Sequence, residues 1–338
     1  MKKGYMQAWA ITEYGDSGKV RLMELPLPVA GDDDVLIRVK AASINPIDYK
    51  TRSGKLKILR KNVFPLVLGH DCAGIVHQVG RNVSRFKAGD EVYVRLENGR
   101  IGAFAEFAVA RASSVALKPA SISFAEAASL PLVALTSWQV LLQEGRLQPG
   151  ERVFIPGGAG GIGTFAIQLA RHFGATVVSN ASAGNIDFVH TLGADEVVDY
   201  AKSTAFDTIA PVDMVYDTQG GSAQRRAFGI LKRGGRLISI MGPPTPRFIA
   251  SEGGSAWLSA LMALVSLPAR WRARRHGAGY VFWMMRPDGA VLETIARLVD
   301  SQVIKPVVAR SFAFADALQA LALAEQGRGL RGKIVITL

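Results

Sequence analysis

RVFIPGGAGGIG, residues 152–163, is the stretch that decides the fold of the second half of the chain. Its first four residues predict a buried strand, and a helix is predicted from Ile162 to Phe173. Between them lies a G-x-G-x-x-G turn, whose glycines let the backbone approach a pyrophosphate closely while the helix start presents free N–H groups to that anion. The predicted cofactor contacts here are Gly158, Ala159, Gly160, Gly161, Ile162 and Gly163.

Strand-like and helical segments alternate after this turn, which predicts parallel βαβ units in a doubly wound sheet. The predicted strands are Thr176–Ser179, Glu196–Asp199, Met214–Asp217 and Arg236–Met241. The fold class is therefore α/β. Short β-like runs broken by glycines between residues 35 and 94 predict a partly open β-barrel before it. A helix is predicted over Ser123–Leu142, and a return to the first domain ends in a strand at Lys333–Thr337. We predict domains at 1–127 with 287–338, and at 128–286.

The residues at the end of the predicted strand Thr176–Ser179 bear on cofactor preference. An NAD site usually has an Asp or Glu there, which accepts hydrogen bonds from the ribose hydroxyls. This chain instead reads Ser179-Asn180-Ala181-Ser182, and Ser182 with Asn185 could donate to a 2′-phosphate. We therefore predict NADPH, with NADH as the alternative. Ser182 as the cap of the next helix is the competing structural interpretation.

The segment Ser43–Lys50 concentrates polar side chains after a predicted strand. Asn45, Asp48 and Lys50 are the candidate catalytic residues, and we expect Asn45 or Lys50 to hydrogen-bond a developing enolate oxygen. A structural interpretation competes with this one, because Asn45 as N-cap, Pro46 at the first helical position and Asp48 in the first turn make a well-formed helix start.

Composition restricts the remaining chemistry. Cys72 is the one cysteine, so we predict neither a disulfide nor a structural zinc cluster, and the lone His70 is interpreted as hydrogen-bonded scaffold. No metal site is predicted. The longest apolar run, Ala256–Leu267, is shorter than the roughly 20 residues that span a bilayer, and no signal-peptide core follows Met1, so we predict a cytoplasmic location.

Several blocks of sequence resemble the quinone oxidoreductase branch of the medium-chain dehydrogenase/reductase superfamily. They are Asn45–Asp48, Leu68–Gly74, Lys87–Val92, Gly157–Gly163, Leu192–Asp195, Tyr216–Gly221 and Arg331–Lys333. The section from Phe248 to Pro287 is similar to the subgroup with reticulon-4-interacting oxidoreductases and plant alkenal and enone reductases.

The resemblance implies a GroES-like first domain, a Rossmann second domain and a nicotinamide in the cleft between them. It also implies cofactor contacts near the adenosine phosphate at Ser182, Asn185 and Tyr200, and others at Thr136, Thr218, Met241, Gly242 and Lys333. Gly184 departs from the family pattern, because many relatives carry a basic residue there. The family further implies a homodimer through the edge of the Rossmann sheet.

We therefore expect a zinc-independent enzyme that uses NADPH to reduce a small-molecule electrophile, either a quinone or an enone. An alcohol or aldehyde oxidoreductase is one alternative. The net charge of +12 suggests another, an NADPH-sensing nucleic-acid binder, although no recognised reading motif occurs and nucleic acid is not the expected partner. The apolar stretch 256–267 with its following arginines predicts core packing, a dimer contact or weak contact with a membrane surface through 256–275.

Overall fold

The computed structural model describes residues 4–57, 62–202, 204, 206–327 and 329–338. The chain divides into two compact units, one made of Met1–Leu135 with Arg286–Leu338 and the other of Thr136–Met285. The boundary at 135/136 lies after the predicted one at 127/128. The chain leaves the first unit once and returns to it near its end.

The strands and helices are numbered along the chain. The strands are β1 (Tyr5–Ile11), β2 (Val20–Pro26), β3 (Asp34–Ser43), β4 (Leu66–Val67), β5 (Asp71–Val79), β6 (Glu91–Arg95), β7 (Phe107–Arg111), β8 (Val115–Leu117), β9 (Arg152–Ile155), β10 (Thr176–Ala181), β11 (Glu196–Asp199), β12 (Val212–Asp217), β13 (Leu231–Ser239), β14 (Gly279–Phe282), β15 (Val308–Ala313) and β16 (Lys333–Thr337). The α-helices are α1 (Pro46–Arg52), α2 (Phe124–Ala128), α3 (Pro131–Trp138), α4 (Gly161–His172), α5 (Ile186–Thr191), α6 (Gly221–Ala227), α7 (Pro246–Ser251), α8 (Ala256–Val265), α9 (Leu267–Arg275), α10 (Gly289–Asp300) and α11 (Ala317–Gln326). Short 3₁₀ turns lie at Ser17–Lys19, Ala112–Ser114, Ala183–Asn185, Phe228–Ile230 and Phe314–Asp316, and a π-helical turn lies at Gln139–Glu144.

The first unit is built on β-sheets. Six strands follow the order β15-β16-β3-β5-β6-β8, β7 pairs with β3, and a smaller sheet has the order β2-β1-β4. The pairs that β3 makes with β5, β7 and β16 are all antiparallel. Branched and aromatic side chains such as Ile37, Val76, Val92, Phe104 and Ile336 are buried together in its core, because β-branched residues suit a pleated, buried surface.

The second unit is an α/β fold with a six-stranded sheet in the order β11-β10-β9-β12-β13-β14. Every neighbouring pair in it is parallel. Along the chain, β9 forms first, and β10 and β11 are added on one side of it. The chain then crosses over, and β12 pairs with the other side of β9. This reversal is the topological switch point at which doubly wound sheets bind dinucleotides. The predicted strands at 152–155 and 196–199 have the same bounds in the structure.

The helix predicted over 123–142 is wrong as one continuous element. Ser123 does cap a helix, and its backbone N–H donates to Glu126 Oε2 at 2.9 Å in a capping box. That helix ends at Ala128, α3 begins at Pro131, and a π-helical turn follows α3. Proline lacks a backbone N–H, and its ring disfavours helical geometry at the residue before it, which explains the break.

The apolar stretch 256–267 does not pack into the core of its unit. Residues 256–265 form α8, in which no residue is buried; Ser266 between the helices is buried, and Leu267 begins α9. None of the described helices is long and apolar enough to cross a bilayer.

Candidate functional site

The glycine turn after β9 is held by one side chain at the end of the neighbouring strand. The N–H of Gly157 donates to Asn180 Oδ1 at 2.7 Å, and the N–H of Gly158 donates to Asn180 O at 3.0 Å. Asn180 is buried near the end of β10. From the sequence, Asn180 was recognised only as a non-acidic residue, and its role in shaping the turn was not predicted.

Close packing requires glycine at two positions of the motif. A Cβ at Gly158 would lie 2.5 Å from Ser179 Oγ, and one at Gly163 would lie 2.3 Å from Gly157 O, so neither position has room for a side chain. Gly160 is exposed and is the N-cap of α4. The first N–H groups of α4 have no partner within the helix, which makes its start suited to a pyrophosphate.

The candidate phosphate contacts come together at the ends of β10 and β11. Asn185 Nδ2 donates to Ser182 Oγ at 3.1 Å, and the N–H of Tyr200 donates to Ala181 O at 3.1 Å. Ser182 is at the N-cap position of the 3₁₀ turn, but its side chain makes no capping hydrogen bond. The Tyr200 side chain is exposed. A Cβ added at Gly184 meets no atom within 4 Å, so a side chain can start there without a clash.

One carboxylate does lie at this edge. Asp199 ends β11 and pairs in register with Ala181 of β10. Its Oδ1 accepts the N–H of Ala201 at 3.0 Å. Asp199 was not predicted as a neighbour of the cofactor site, because it lies at the end of β11 and not of β10.

Thr218, Met241 and Gly242 lie on two loops that share a buried anchor. Ser239 Oγ donates a hydrogen bond to Asp217 Oδ2 at 2.6 Å. The same oxygen accepts hydrogen bonds from the N–H groups of Gly242 at 2.7 Å and Met241 at 3.2 Å. Thr218 Oγ1 donates to the carbonyl of Pro156, beside the glycine turn, at 3.4 Å. Asp217 and Ser239 were not predicted as site residues, although each ends a strand of the parallel sheet.

The remaining predicted cofactor contacts are Thr136 and Lys333. Thr136 is a buried residue of α3 and is the first residue of the second unit. Lys333 belongs to the first unit, where it is 6% exposed at the start of β16. Its Nζ donates to Ile44 O at 2.7 Å and to Asn45 Oδ1 at 2.5 Å. Lys333 is thus a neighbour of the candidate catalytic residues.

Asn45 and Asp48 form a buried network at the start of α1. Asn45 Nδ2 donates to Asp71 Oδ2 at 2.9 Å. The N–H of Asn45 donates to Asp48 Oδ2 at 2.7 Å, and Asp48 Oδ1 is 2.5 Å from His70 Nδ1. Asn45 is the N-cap and Pro46 the first residue of α1, which is the helix start that the structural interpretation predicted. Both carboxylate oxygens of Asp48 therefore have partners inside the protein.

Burial shifts the pKa values of Asp71, Lys333 and Lys50. Burial raises the pKa of Asp71 to about 6, against the opposing effects of Lys333, Arg95 and the Asn45 hydrogen bond. Burial likewise lowers the pKa of Lys333, while Asp71 and Asp48 act in the opposite direction. Lys50, which is half-buried on α1, also has its pKa lowered, first by burial and then by the charge of Lys55.

No group of three or more His, Cys, Asp or Glu side chains among the described residues is arranged to hold a metal ion. His70 contacts Asp48 through Nδ1. Cys72 is buried on β5, and burial raises the pKa of its thiol, whereas zinc binds the thiolate. Among the described residues, those around His70 and Cys72 do not supply the ligand set of a catalytic zinc.

Two family descriptions match the chain. Residues 31–120 match "Alcohol dehydrogenase GroES-like domain", and residues 192–336 match "Zinc-binding dehydrogenase". The second description names a metal for which the residues around His70 and Cys72 provide no ligand set.

Relatives cover nearly the whole chain. NAD(P)H oxidoreductase RTN4IP1, mitochondrial, of Mus musculus is 33% identical over 98% of this chain and 89% of that protein. NADPH-dependent alkenal/one oxidoreductase, chloroplastic, of Arabidopsis thaliana is 36% identical over 74% of this chain and 67% of that protein. The structure of the quinone oxidoreductase from Coxiella burnetii is 30% identical, superposes with a TM-score of 0.85 and covers 99% of both chains.

Proposed function

Because the chain belongs to the quinone oxidoreductase branch of the medium-chain dehydrogenase/reductase superfamily and is an NAD(P)H-dependent oxidoreductase, we propose that it uses NADPH to reduce an enone or a quinone. The observation that carries the proposal is the glycine turn tied to Asn180 at the switch point of the parallel sheet. The names of the Arabidopsis and Coxiella relatives mention an alkenal/one and a quinone, which supports these two substrate classes.

The second unit has suitable positions for the phosphates of the cofactor. The start of α4 would hold the pyrophosphate through backbone N–H groups. Ser182, Asn185 and Tyr200 would surround the 2′-phosphate of NADPH. No acidic residue occurs between Asn180 and Ile186, and the Asp199 carboxylate at the neighbouring strand end accepts the N–H of Ala201. Thr218 and the loop at Met241 and Gly242 would contact the ribose and nicotinamide. The reduced nicotinamide supplies a hydride when bound.

Lys50 is the side chain that we propose as proton donor. Reduction of an enone places negative charge on the carbonyl oxygen as hydride adds to the electron-poor carbon, and the saturated product needs one proton. Half-burial lowers the pKa of Lys50, which makes its ammonium group a better acid near neutral pH. Asn45 and Asp48 use their side-chain hydrogen bonds within the buried network, and we assign them the positioning of α1.

We propose that the reaction needs no zinc, since the described residues around His70 and Cys72 do not supply its ligand set. The test is oxidation of NADPH and of NADH with a panel of quinones, enones and saturated aldehydes, each with and without a chelator. Chelator-insensitive turnover of an enone or a quinone with NADPH is expected. Turnover that requires metal, or turnover with saturated aldehydes alone, would instead favour an alcohol or aldehyde oxidoreductase.

Assembly and location complete the proposal. The parallel sheet has two edge strands, β11 and β14, and we propose a homodimer through an edge of this sheet, which light scattering of the purified protein would test. We also propose a cytoplasmic location, testable by fractionation of the source cells. Both rest on the sequence-level expectations above.

A further inference from the structure

Helix α8 presents an apolar face that the described residues of its own unit leave largely or partly exposed. Trp257, Leu261, Leu264 and Val265 share one side of the helix at i, i+4, i+7 and i+8, and Trp257 and Leu264 are each 70% exposed. Leu267 and Trp271 of α9 are about half-exposed and continue the apolar residues. These six side chains, with the arginines of α9, are named the α8–α9 surface. Exposed apolar clusters of this kind usually mark contact sites.

Positive charge flanks the apolar residues without acidic neighbours in the sequence. No aspartate or glutamate occurs between Glu252 and Asp288, while Arg270, Arg272, Arg274 and Arg275 lie within α9. Within the described part of the chain, Arg270 and Arg274 make no ion pair with a carboxylate. The Arg275 guanidinium lies 4.7 Å from the Trp271 ring centroid, so a cation and an aromatic ring sit together on this surface.

A cavity opens beside the same helix. It has a volume of about 380 Å³ and is lined by Arg247, Arg270 and Arg274, together with Thr245 and Tyr280. Arg247 has a distant acidic neighbour, since its Nη1 is 3.7 Å from Glu144 Oε1. Three guanidinium groups around one cavity favour a phosphate-bearing anion, because the planar guanidinium forms paired hydrogen bonds with phosphate oxygens.

We propose that the α8–α9 surface docks on a bilayer of anionic phospholipid, with lipid phosphate in the arginine-lined cavity. The apolar residues of α8 enter the boundary between headgroups and acyl chains, and the arginines meet the negative surface. Tryptophan is suited to this boundary, since it is large and apolar with one polar N–H. The binding goes beyond the proposed reaction and does not depend on turnover.

The combination of charged and apolar residues favours a bilayer over a second copy of the chain and over nucleic acid. In a symmetric dimer through this surface, the same residues would face each other, and α9 offers only arginines among its charged groups. A nucleic acid would satisfy the arginines but would leave Trp257, Leu261 and Leu264 in water. A bilayer satisfies both the charged and the apolar residues.

Vesicle sedimentation tests the proposal with the purified full chain and no substrate. Phosphatidylcholine vesicles are compared with vesicles that contain equal amounts of phosphatidylcholine and phosphatidylglycerol, at low and high salt. We expect binding to the mixed vesicles, weakened by salt. Arg270→Gln with Arg274→Gln should lower the partition coefficient about twentyfold or more, since each basic residue near the surface contributes about fivefold. Trp257→Ser with Leu264→Ser should lower it at least about tenfold.

Two control variants remove matched side chains elsewhere. Arg225→Gln removes an exposed arginine of α6, and Val29→Ser removes a side chain that is 88% exposed in the first unit. Both should bind vesicles like the unaltered protein, and circular dichroism should show every variant folded. The proposal is overturned if the mixed vesicles do not bind at low salt, or if the α8–α9 variants bind as the controls do.

Competition and light scattering distinguish the other occupants. Inorganic phosphate that binds with the same arginine dependence while vesicles do not bind would identify a site for a free anion and overturn the bilayer proposal. A dimer that dissociates in the Trp257→Ser, Leu264→Ser variant without any vesicle binding would assign the surface to a second copy. Arginine-dependent binding of RNA or DNA without vesicle binding would assign it to nucleic acid.

Discussion

Lys50 differs from the other candidate catalytic side chains in its surroundings. Asn45 and Asp48 are almost completely buried, and their polar atoms bond within the protein, whereas Lys50 is only half-buried. All three lie within one short segment of the chain, so the sequence alone could not show which of them is buried. Burial is a property of the packed unit, and it divides the segment into positioning residues and one candidate acid.

Replacement of Lys50 should separate proton donation from charge. Lys50→Gln is expected to lower kcat about a hundredfold. Lys50→Arg keeps the cation but cannot release a proton at working pH, so kcat should fall similarly while KM changes little. Steady-state kinetics with the best enone measures both. Full kcat in Lys50→Arg would contradict the role of proton donor.

The pH profile gives a second test of Lys50. The protonated amine is the active form, so kcat should decline as pH rises through the lowered pKa of Lys50, below the ordinary value of 10.5. Lys55→Gln removes the like charge that contributes to the lowering, so this decline should move to higher pH. Lys50→Gln should show no such decline. An unchanged profile in both variants would exclude Lys50.

Gly184 offers a test of cofactor preference. A side chain can start at this position without a clash, since a Cβ there meets no atom within 4 Å. Gly184→Arg should tighten NADPH binding about threefold to tenfold, because an exposed guanidinium adds a charge-assisted contact to the 2′-phosphate. Fluorescence titration with NADPH and with NADH measures the change. Equal tightening for NADH would show that the 2′-phosphate does not lie near residue 184.

At the scale of elements, the glycine turn and the strand ends act together. The G-x-G-x-x-G spacing and the strand before it were readable from the sequence, because each depends on neighbouring residues. Asn180 comes 22 residues after Gly158 by their numbers (180 − 158), and it reaches the turn only because β9 and β10 are adjacent and parallel.

Gly163→Ala tests the packing of this turn. The added Cβ would lie 2.3 Å from Gly157 O, so the turn must shift. We expect at least about tenfold weaker NADPH binding and a loss of about 1–3 kcal/mol in the free energy of unfolding, as for other overpacked sites. Gly229→Ala is the matched control, because a Cβ there meets no atom within 4 Å. Similar behaviour of the two variants would remove the role given to Gly163.

At the scale of the whole molecule, the first unit is assembled from both ends of the chain. Strand β16 pairs with β3, and Lys333 of β16 bonds to Asn45 at the start of α1. This contact joins residues 288 positions apart. The last segment of the chain therefore belongs to the same compact unit as the first, and the buried charges of the network bear on the stability of this unit.

Asp71 should make stability depend on pH in a predictable direction. Its pKa is about 6 in the folded protein and near 3.8 when unfolded. Between these values the folded state binds more protons, so the contribution of Asp71 to stability falls as pH rises from about 4 to about 6. Asp71→Asn lacks this dependence. The free energy of unfolding of Asp71→Asn relative to the unaltered protein should therefore rise by about 1–3 kcal/mol over that window.

Chemical denaturation at several pH values measures this difference. The comparison between the two proteins cancels the contribution of other carboxylates, such as Asp34 and Glu151, whose pKa values are lowered by arginine partners. A difference that stays constant from pH 4 to pH 6 would contradict the raised pKa of Asp71.

The sequence by itself determined the local features of this protein. Strand and helix periodicity, the glycine spacing, the helix start at Asn45 and the absence of a second cysteine all depend on residues that are near one another or on composition. These features were sufficient for the two-domain α/β fold and for the family. The prediction of one helix over 123–142 overlooked a local signal, because Pro131 breaks the helix although helix-favouring residues lie on both sides of it.

Tertiary structure decided which side chains meet and which remain in water. It placed Lys333 beside Asn45, Asn180 beneath the glycine turn, and Asp217 with Ser239 between two loops. It also left Trp257 and Leu264 exposed, although their helical spacing was equally compatible with a core. Burial and long-range contact depend on how sheets and helices pack, and hydrophobic periodicity defines a face without defining what that face meets.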